Sequence, residues 1–114
     1  MVKRIVVGAH YGTGSWLAQR ITALVIAVYS VIALVVVFGG RPLTYSVLKD
    51  LFSQGWMRVA TLVFMVSLAW HAWVGVRDIL MDYVKADGLR LALEVATILL
   101  LAAYLGWTAQ VLWR

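Results

Sequence analysis

Three long stretches of the chain are almost free of charge, and short polar segments separate them. The first runs from Ile21 to Gly40 without Asp, Glu, Lys or Arg. It is entered through Ser15-Trp-Leu-Ala-Gln-Arg20 and left at Gly39-Gly40-Arg41-Pro42, where glycine and proline end a helix. The second is uncharged from Val59 to Val76, between Arg58 and Arg77, and its helix is expected to continue to about Lys85. The third is uncharged from Val95 to Trp113 and is launched from Asp87-Gly88, with Arg90 and Glu94 spaced to pair along its first turns. Each is long enough for the roughly 20 apolar residues that a helical crossing of a bilayer requires.

The first stretch is rich in β-branched residues (Ile21, Val25, Ile26, Val28, Val31, Ile32, Val35, Val36, Val37), which in water would favour a strand. In lipid an isolated strand leaves its backbone groups unbonded, so helix is the expected form. The pattern predicts an all-α integral membrane protein, a single membrane-anchor domain over residues 1–114 with spans at about 16–39, 57–83 and 89–113. A mildly amphipathic piece from Tyr45 to Phe52 is expected to lie at the membrane interface.

Three spans place the termini on opposite sides. Lys3, Arg4, Arg20, Arg77, Lys85 and Arg90 fall on the N-terminal side, against Arg41, Lys49, Arg58 and Arg114 on the other, which favours a cytoplasmic N-terminus and a periplasmic C-terminus. Trp16, Trp56 and Trp113 lie near span ends, as interfacial anchors do. Trp70 and Trp73 instead flank a histidine well inside the second span, where they are expected to pack around its partner.

Composition agrees with the pattern. At 114 residues, 64% hydrophobic and 13% charged, with a mean hydropathy of +0.93, the chain has too little polar surface to cover a soluble globule. Three spans alone make a very small bundle, so partner subunits are expected. The net charge of +5 is dispersed over loops and ends with no basic, aromatic-laced patch, which argues against nucleic acid. Without cysteine, a disulfide framework and a thiolate-held metal or iron–sulfur cluster are excluded within this chain, and any metal falls to His, carboxylate or a partner. Met1-Val-Lys-Arg4 resembles the start of a signal peptide. The apolar run behind it is too short before Gly8 to Gly14 interrupt it, so an uncleaved anchor is expected.

The chemistry concentrates on the second span. His71 is the one titratable group inside its apolar run, and an ionisable group at membrane depth needs a partner, hydration or a ligand. At helical spacing Ser67, His71, Gly75, Asp78 and Asp82 share one face. Ser67 and Gly75 are small, so a flat group such as a heme could approach the imidazole between them. Ordinary helix packing through small residues accounts for the same stripe equally well. His10 precedes the first span in a glycine-rich segment and cannot reach the same depth, so a heme held by two histidines would have to be shared with another subunit.

Asp82 follows His71 by eleven residues, roughly 16 Å along a continuous helix, which puts it at the water boundary on the same face. Beside it Tyr83 is a phenol able to donate to a quinone carbonyl, while the carboxylate could orient it or relay protons. A solvated loop with an interfacial tyrosine is the plainer alternative. Arg20 is placed to snorkel to the surface or to pair with a heme propionate.

Three segments in this order, Gln19-Arg-Ile-Thr-Ala23, His71-Ala-Trp-Val-Gly75 and Asp82-Tyr-Val-Lys85 followed by Leu89-Arg90, closely resemble the smaller hydrophobic membrane anchor of bacterial succinate dehydrogenase, respiratory complex II. The resemblance covers roughly Trp16 to the C-terminus. It implies that His71 is an axial ligand of heme b, with the second histidine from a cytochrome b partner, and that Arg20 neighbours the propionates. It further implies that Tyr83 hydrogen-bonds the carbonyl of ubiquinone in a site lined by Asp82, the partner anchor and an iron–sulfur subunit. Succinate would be oxidised at a flavin in a separate flavoprotein subunit, and the complex would sit in the bacterial inner membrane. The segment before Trp16 matches little, and His10 receives no role. A purely structural anchor, whose His71 only hydrogen-bonds a neighbouring helix, is the competing reading. A proton-conducting subunit would want buried carboxylates that the apolar runs do not offer.

Overall fold

The computed structural model describes the backbone from Ile5 to Arg114 and the side chains from Thr13 onward, so Met1 to Arg4 and the His10 side chain lie outside the described residues. Four helices follow one another: α1 (Ile5–Val37), α2 (Tyr45–Ser53), α3 (Gly55–Tyr83) and α4 (Asp87–Leu112). Three of them, over Thr13–Val37, Gly55–Tyr83 and Asp87–Leu112, are long and apolar enough to cross a membrane. The β-branched run of the first stretch is helical throughout. α1 starts at Ile5, so the glycine-rich segment ahead of the first apolar run belongs to the same helix.

Glycine and proline close α1 in the expected place. Gly40 takes φ +93°, a left-handed conformation that costs an L side chain about 1 kcal/mol or more, and a Cβ on Gly39 would lie 2.6 Å from the Val35 carbonyl oxygen. Thr44 then caps α2, its hydroxyl accepting from the Val47 amide at 3.3 Å, and Leu51 on this short helix is buried. Gln54 ends α2 and precedes α3, so the two meet at a corner without a loop between them. Arg58 Nε donates to the Phe52 carbonyl at 2.7 Å and fixes that corner. At the start of α4 the expected pairing of Arg90 with Glu94 is not the one formed. Arg90 turns back to Asp87, Nη2 to Oδ1 3.1 Å, on the N-terminal turn, where a carboxylate also faces the positive end of the helix dipole.

α3 is the central element, packed against α1, α2 and α4. Among the described residues few side chains are buried within the chain itself: Leu51, Met57, Val74, Leu80, Leu112 and one polar residue, Thr22. Leu24, Val28, Val35, Ile98, Leu99 and Trp107 are among many large apolar residues left exposed, a surface stable only against lipid or partner subunits.

Between α1 and α3 the contacts follow an antiparallel register. Ser15, Thr22 and Tyr29 recur every seven residues on one face of α1, and they meet Arg77, His71 and Thr61 respectively. A seven-residue repeat keeps one seam in contact when helices cross at the shallow angle of a left-handed pair. The hydroxyls of Tyr29 and Thr61 lie 2.7 Å apart, and the Tyr29 ring stacks on Phe64 with centroids 4.3 Å apart and planes inclined by 19°.

Interhelical hydrogen bonds in membranes contribute about 0.6–2 kcal/mol, and an offset aromatic pair roughly 0.5–1.5 kcal/mol. Tyr29→Phe is therefore expected to lower the stability of the solubilised protein by about 1 kcal/mol, and Phe64→Ala by more. Unfolding titrations in mixed detergent micelles measure both, and a Phe64→Ala protein as stable as the parent would remove this part of the seam from the account.

Candidate functional site

Thr22 is the one buried polar residue of the described chain, and it faces the one imidazole inside a span. Its Oγ1 lies 2.7 Å from the Ala18 carbonyl oxygen one turn earlier in α1, 3.2 Å from that of Gln19, and 3.1 Å from His71 Nδ1 across the seam. Threonine hydroxyls in membrane helices commonly bond the carbonyl four residues back, since lipid offers no alternative. Here that local bond leaves the oxygen aimed at α3.

His71 is half-buried, held at Nδ1, and among the described residues nothing hydrogen-bonds its Nε2. Gly75 is one turn further on the same face of α3, and a Cβ built on it would meet nothing within 4 Å. Ser67, one turn before His71, is half-buried, so the open position along this face is the one at Gly75.

One to two turns beyond His71, toward the end of α3 that carries Asp82, the seam opens into a cavity of about 510 Å³ lined by Ser15, Trp16, Gln19, Arg20, Val74, Arg77 and Asp78. Arg77 Nη2 donates to Ser15 Oγ at 2.9 Å and sits 3.8 Å from an exposed Asp78 carboxylate, while its Nε is buried and unbonded. Gln19 Oε1 is likewise buried without a partner. Arg20 is exposed and lies over the Trp16 ring, 5.3 Å from the centroid. Two guanidinium groups around one cavity, one with an unused buried N–H, make a ready receptor for a carboxylate.

α3 has 29 residues, about 43 Å of helix, longer than the roughly 30 Å of bilayer hydrocarbon. Its last turns therefore project beyond the apolar region. Asp82 and Tyr83 are carried there, both exposed, with the Tyr83 side chain open over 79% of its surface. Tyr83 is the last helical residue, and the Val84 amide still bonds the Leu80 carbonyl at 3.0 Å, so both side chains stand on ordered backbone.

The sequence-predicted residues thus fall in three places on two helices: His71 in the seam and Asp82 with Tyr83 at the tip of α3, and Arg20 on α1 beside the cavity between them. Thr22, Gln19 and Arg77 were not foreseen as site residues. The signal was present in the seven-residue recurrence of Ser15, Thr22 and Tyr29 and in Gln19 one turn from both Ser15 and Thr22. Asp78 and Asp82 are like charges one turn apart, and Arg77 approaches Asp78 at a distance and exposure worth at most a few tenths of a kcal/mol.

Among proteins of known role, the chain is similar to the succinate dehydrogenase hydrophobic membrane anchor subunit of Coxiella burnetii (strain RSA 493 / Nine Mile phase I). The two are 41% identical over 102 residues, which cover 90% of this chain and 89% of the relative. With residues 3–105 also matching the sequence model of the succinate dehydrogenase/fumarate reductase transmembrane subunits, the chain belongs to that family.

Proposed function

We propose that this membrane anchor of succinate dehydrogenase is also redox-active. His71 is an axial ligand of a heme b shared with a cytochrome b partner, and Tyr83 with Asp82 forms part of the site where ubiquinone is reduced. The observation that supports the reading is the state of His71: held at Nδ1 by Thr22, unbonded at Nε2 among the described residues, and with open space one turn away at Gly75.

The residues present fit such a group. An imidazole with one free nitrogen supplies an iron ligand, small neighbours leave room for a macrocycle, and Arg20 and Arg77 line a cavity suited to carboxylates. When bound, heme supplies a one-electron carrier near the quinone. The protein orients the ligating ring, neutralises the carboxylates and, through the apolar surface of the spans, keeps water from the iron.

At the tip of α3 the Tyr83 hydroxyl donates to a quinone carbonyl oxygen and stabilises the negative charge that develops there as electrons arrive. Asp82, at the water boundary, orients that donor and passes protons from solvent, two of which are needed for each quinone reduced to quinol. The exposure of both residues is what half a site looks like when the other half belongs to other chains. On this reading the N-terminus is cytoplasmic, the C-terminus periplasmic and the bilayer the bacterial inner membrane. The iron–sulfur and flavoprotein subunits then lie beside Tyr83, and succinate never contacts this chain.

The hydrogen bond between Thr22 and His71 also favours a second reading, a structural anchor in which the histidine only ties α1 to α3. Optical spectra of the purified complex separate the two. His71→Ala is expected to abolish or strongly diminish the heme b bands, whereas an unchanged heme content leaves the structural anchor as the correct description. Arg20→Leu is expected to keep the heme while shifting its spectrum or potential, and wild-type values would remove Arg20 from the site. Tyr83→Phe should lower quinone reduction by on the order of tenfold, about 1.4 kcal/mol for one lost hydrogen bond, while succinate oxidation by an artificial acceptor continues. Equal quinone turnover in the variant would take Tyr83 out of the quinone site.

A further inference from the structure

The proton positions at Thr22 have a consequence for His71. A hydroxyl carries one proton and two lone pairs, and a carbonyl oxygen only accepts. The Thr22 hydroxyl therefore donates to the Ala18 carbonyl at 2.7 Å, since two lone pairs would otherwise face each other at that distance. With its proton committed, Oγ1 presents a lone pair to His71, and the 3.1 Å contact is satisfied only when Nδ1 carries hydrogen and donates. In a neutral imidazole the other nitrogen is then bare.

We propose that Thr22 is the positioning residue that fixes the tautomer and ring orientation of His71, holding Nδ1–H toward α1 so that Nε2 faces the open side as a preformed metal ligand. This rests on the proposed ligation of heme iron by His71 and assigns to this chain the residue that supports it. Ligating histidines generally donate their second ring N–H to a carboxylate, a carbonyl or water, which orients the ring and raises its basicity toward the metal. At this depth Thr22 takes that part, and it is well chosen: a neutral hydroxyl is cheaper to bury in an apolar seam than a carboxylate.

Several observations converge on the assignment. Thr22 is 8% exposed, so its hydroxyl is shielded from water. The donor chain from His71 through Thr22 to the Ala18 carbonyl ends within α1 itself, so the ring orientation is referenced to the backbone of the neighbouring helix. In the neutral ring this arrangement leaves Nε2 as the bare nitrogen, the one that would hold iron. The flanking contacts of Ser15 with Arg77 and Tyr29 with Thr61 set the helix register on either side, keeping α1 and α3 from sliding at the ligand.

The test uses the assembled complex with Thr22→Val, which keeps the branched shape and removes the hydroxyl, and Thr22→Ser, which keeps the hydroxyl. Electron paramagnetic resonance of the oxidised heme and redox titration of its optical bands provide the readouts. The valine variant is expected to show a shifted low-spin signal and a higher midpoint potential, because a less electron-rich imidazole stabilises ferric iron less, and the serine variant to restore both. A residue of purely structural importance would change the yield of complex without moving either value. Wild-type signal and potential in heme-loaded Thr22→Val, or a serine variant that fails to restore them, overturns the proposal. Should the valine protein not assemble, Thr22→Ala is read by the same criteria. His71→Ala run in parallel distinguishes the two levels. Heme retained without His71 overturns the ligation together with the role of Thr22, whereas heme lost there and an unmoved potential in Thr22→Val overturns the role of Thr22 alone.

Discussion

A hydrogen bond in lipid has no water to fall back on, and the seam between α1 and α3 is arranged around that constraint. Each polar side chain that α1 turns inward at Ser15, Thr22 and Tyr29 finds a partner on α3, while most of the apolar surface of both helices faces outward. Because lipid tails are as apolar as leucine, hydrophobicity does little to bring such helices together, and close packing with a few polar contacts has to set their register. The contact of Thr22 with His71 sits at the middle of this seam. Loss of register there would displace the imidazole from its hydroxyl and the guanidinium of Arg77 from Ser15 together.

The length of α3 converts that register into a spatial order of the candidate site residues. A helix of 29 residues exceeds the hydrocarbon thickness, so one rigid element carries His71 at membrane depth and Asp82 with Tyr83 in the boundary region. Between them lies the cavity with Arg20, Arg77 and the unpartnered Gln19 oxygen. Buried polar atoms without partners are rare in proteins and call for an explanation, and in a subunit that buries so little of its own surface, an occupant or neighbouring chain supplying the missing bonds is the natural one.

The three long apolar helices and the short α2 could be read from the sequence because charge and length decide them: apolar runs bounded by arginines, and glycine with proline at the first turn, leave few options. The stripe of Ser67, His71 and Gly75 was equally accessible, since helical spacing fixes which residues share a face. What escaped was cross-helix pairing. Thr22 is an unremarked hydroxyl in a run of aliphatic residues, and only the register of α1 against α3 shows that it meets His71. The pairing of Arg90 with Asp87 rather than Glu94 escaped for a related reason, since spacing allowed both and the carboxylate at the helix start prevailed. The extension of α1 back to Ile5 lay outside what charge and hydropathy decide, since glycine weakens a helix by about 1 kcal/mol per residue without forbidding it.

Membership of the succinate dehydrogenase/fumarate reductase transmembrane family accounts for an exposed apolar surface that this chain cannot bury alone, and the geometry of α1 and α3 says how such an anchor could do more than hold its partners at the membrane. The central claim is that one imidazole joins Thr22 on one side to iron on the other. A density map of the assembled complex, at a resolution that fixes ring orientation, tests it most directly. The account predicts His71 Nε2 at bonding distance from a heme iron, with Nδ1 still directed at the Thr22 hydroxyl. An imidazole enclosed by protein with no metal beside it, or one that meets the iron through Nδ1, would contradict it.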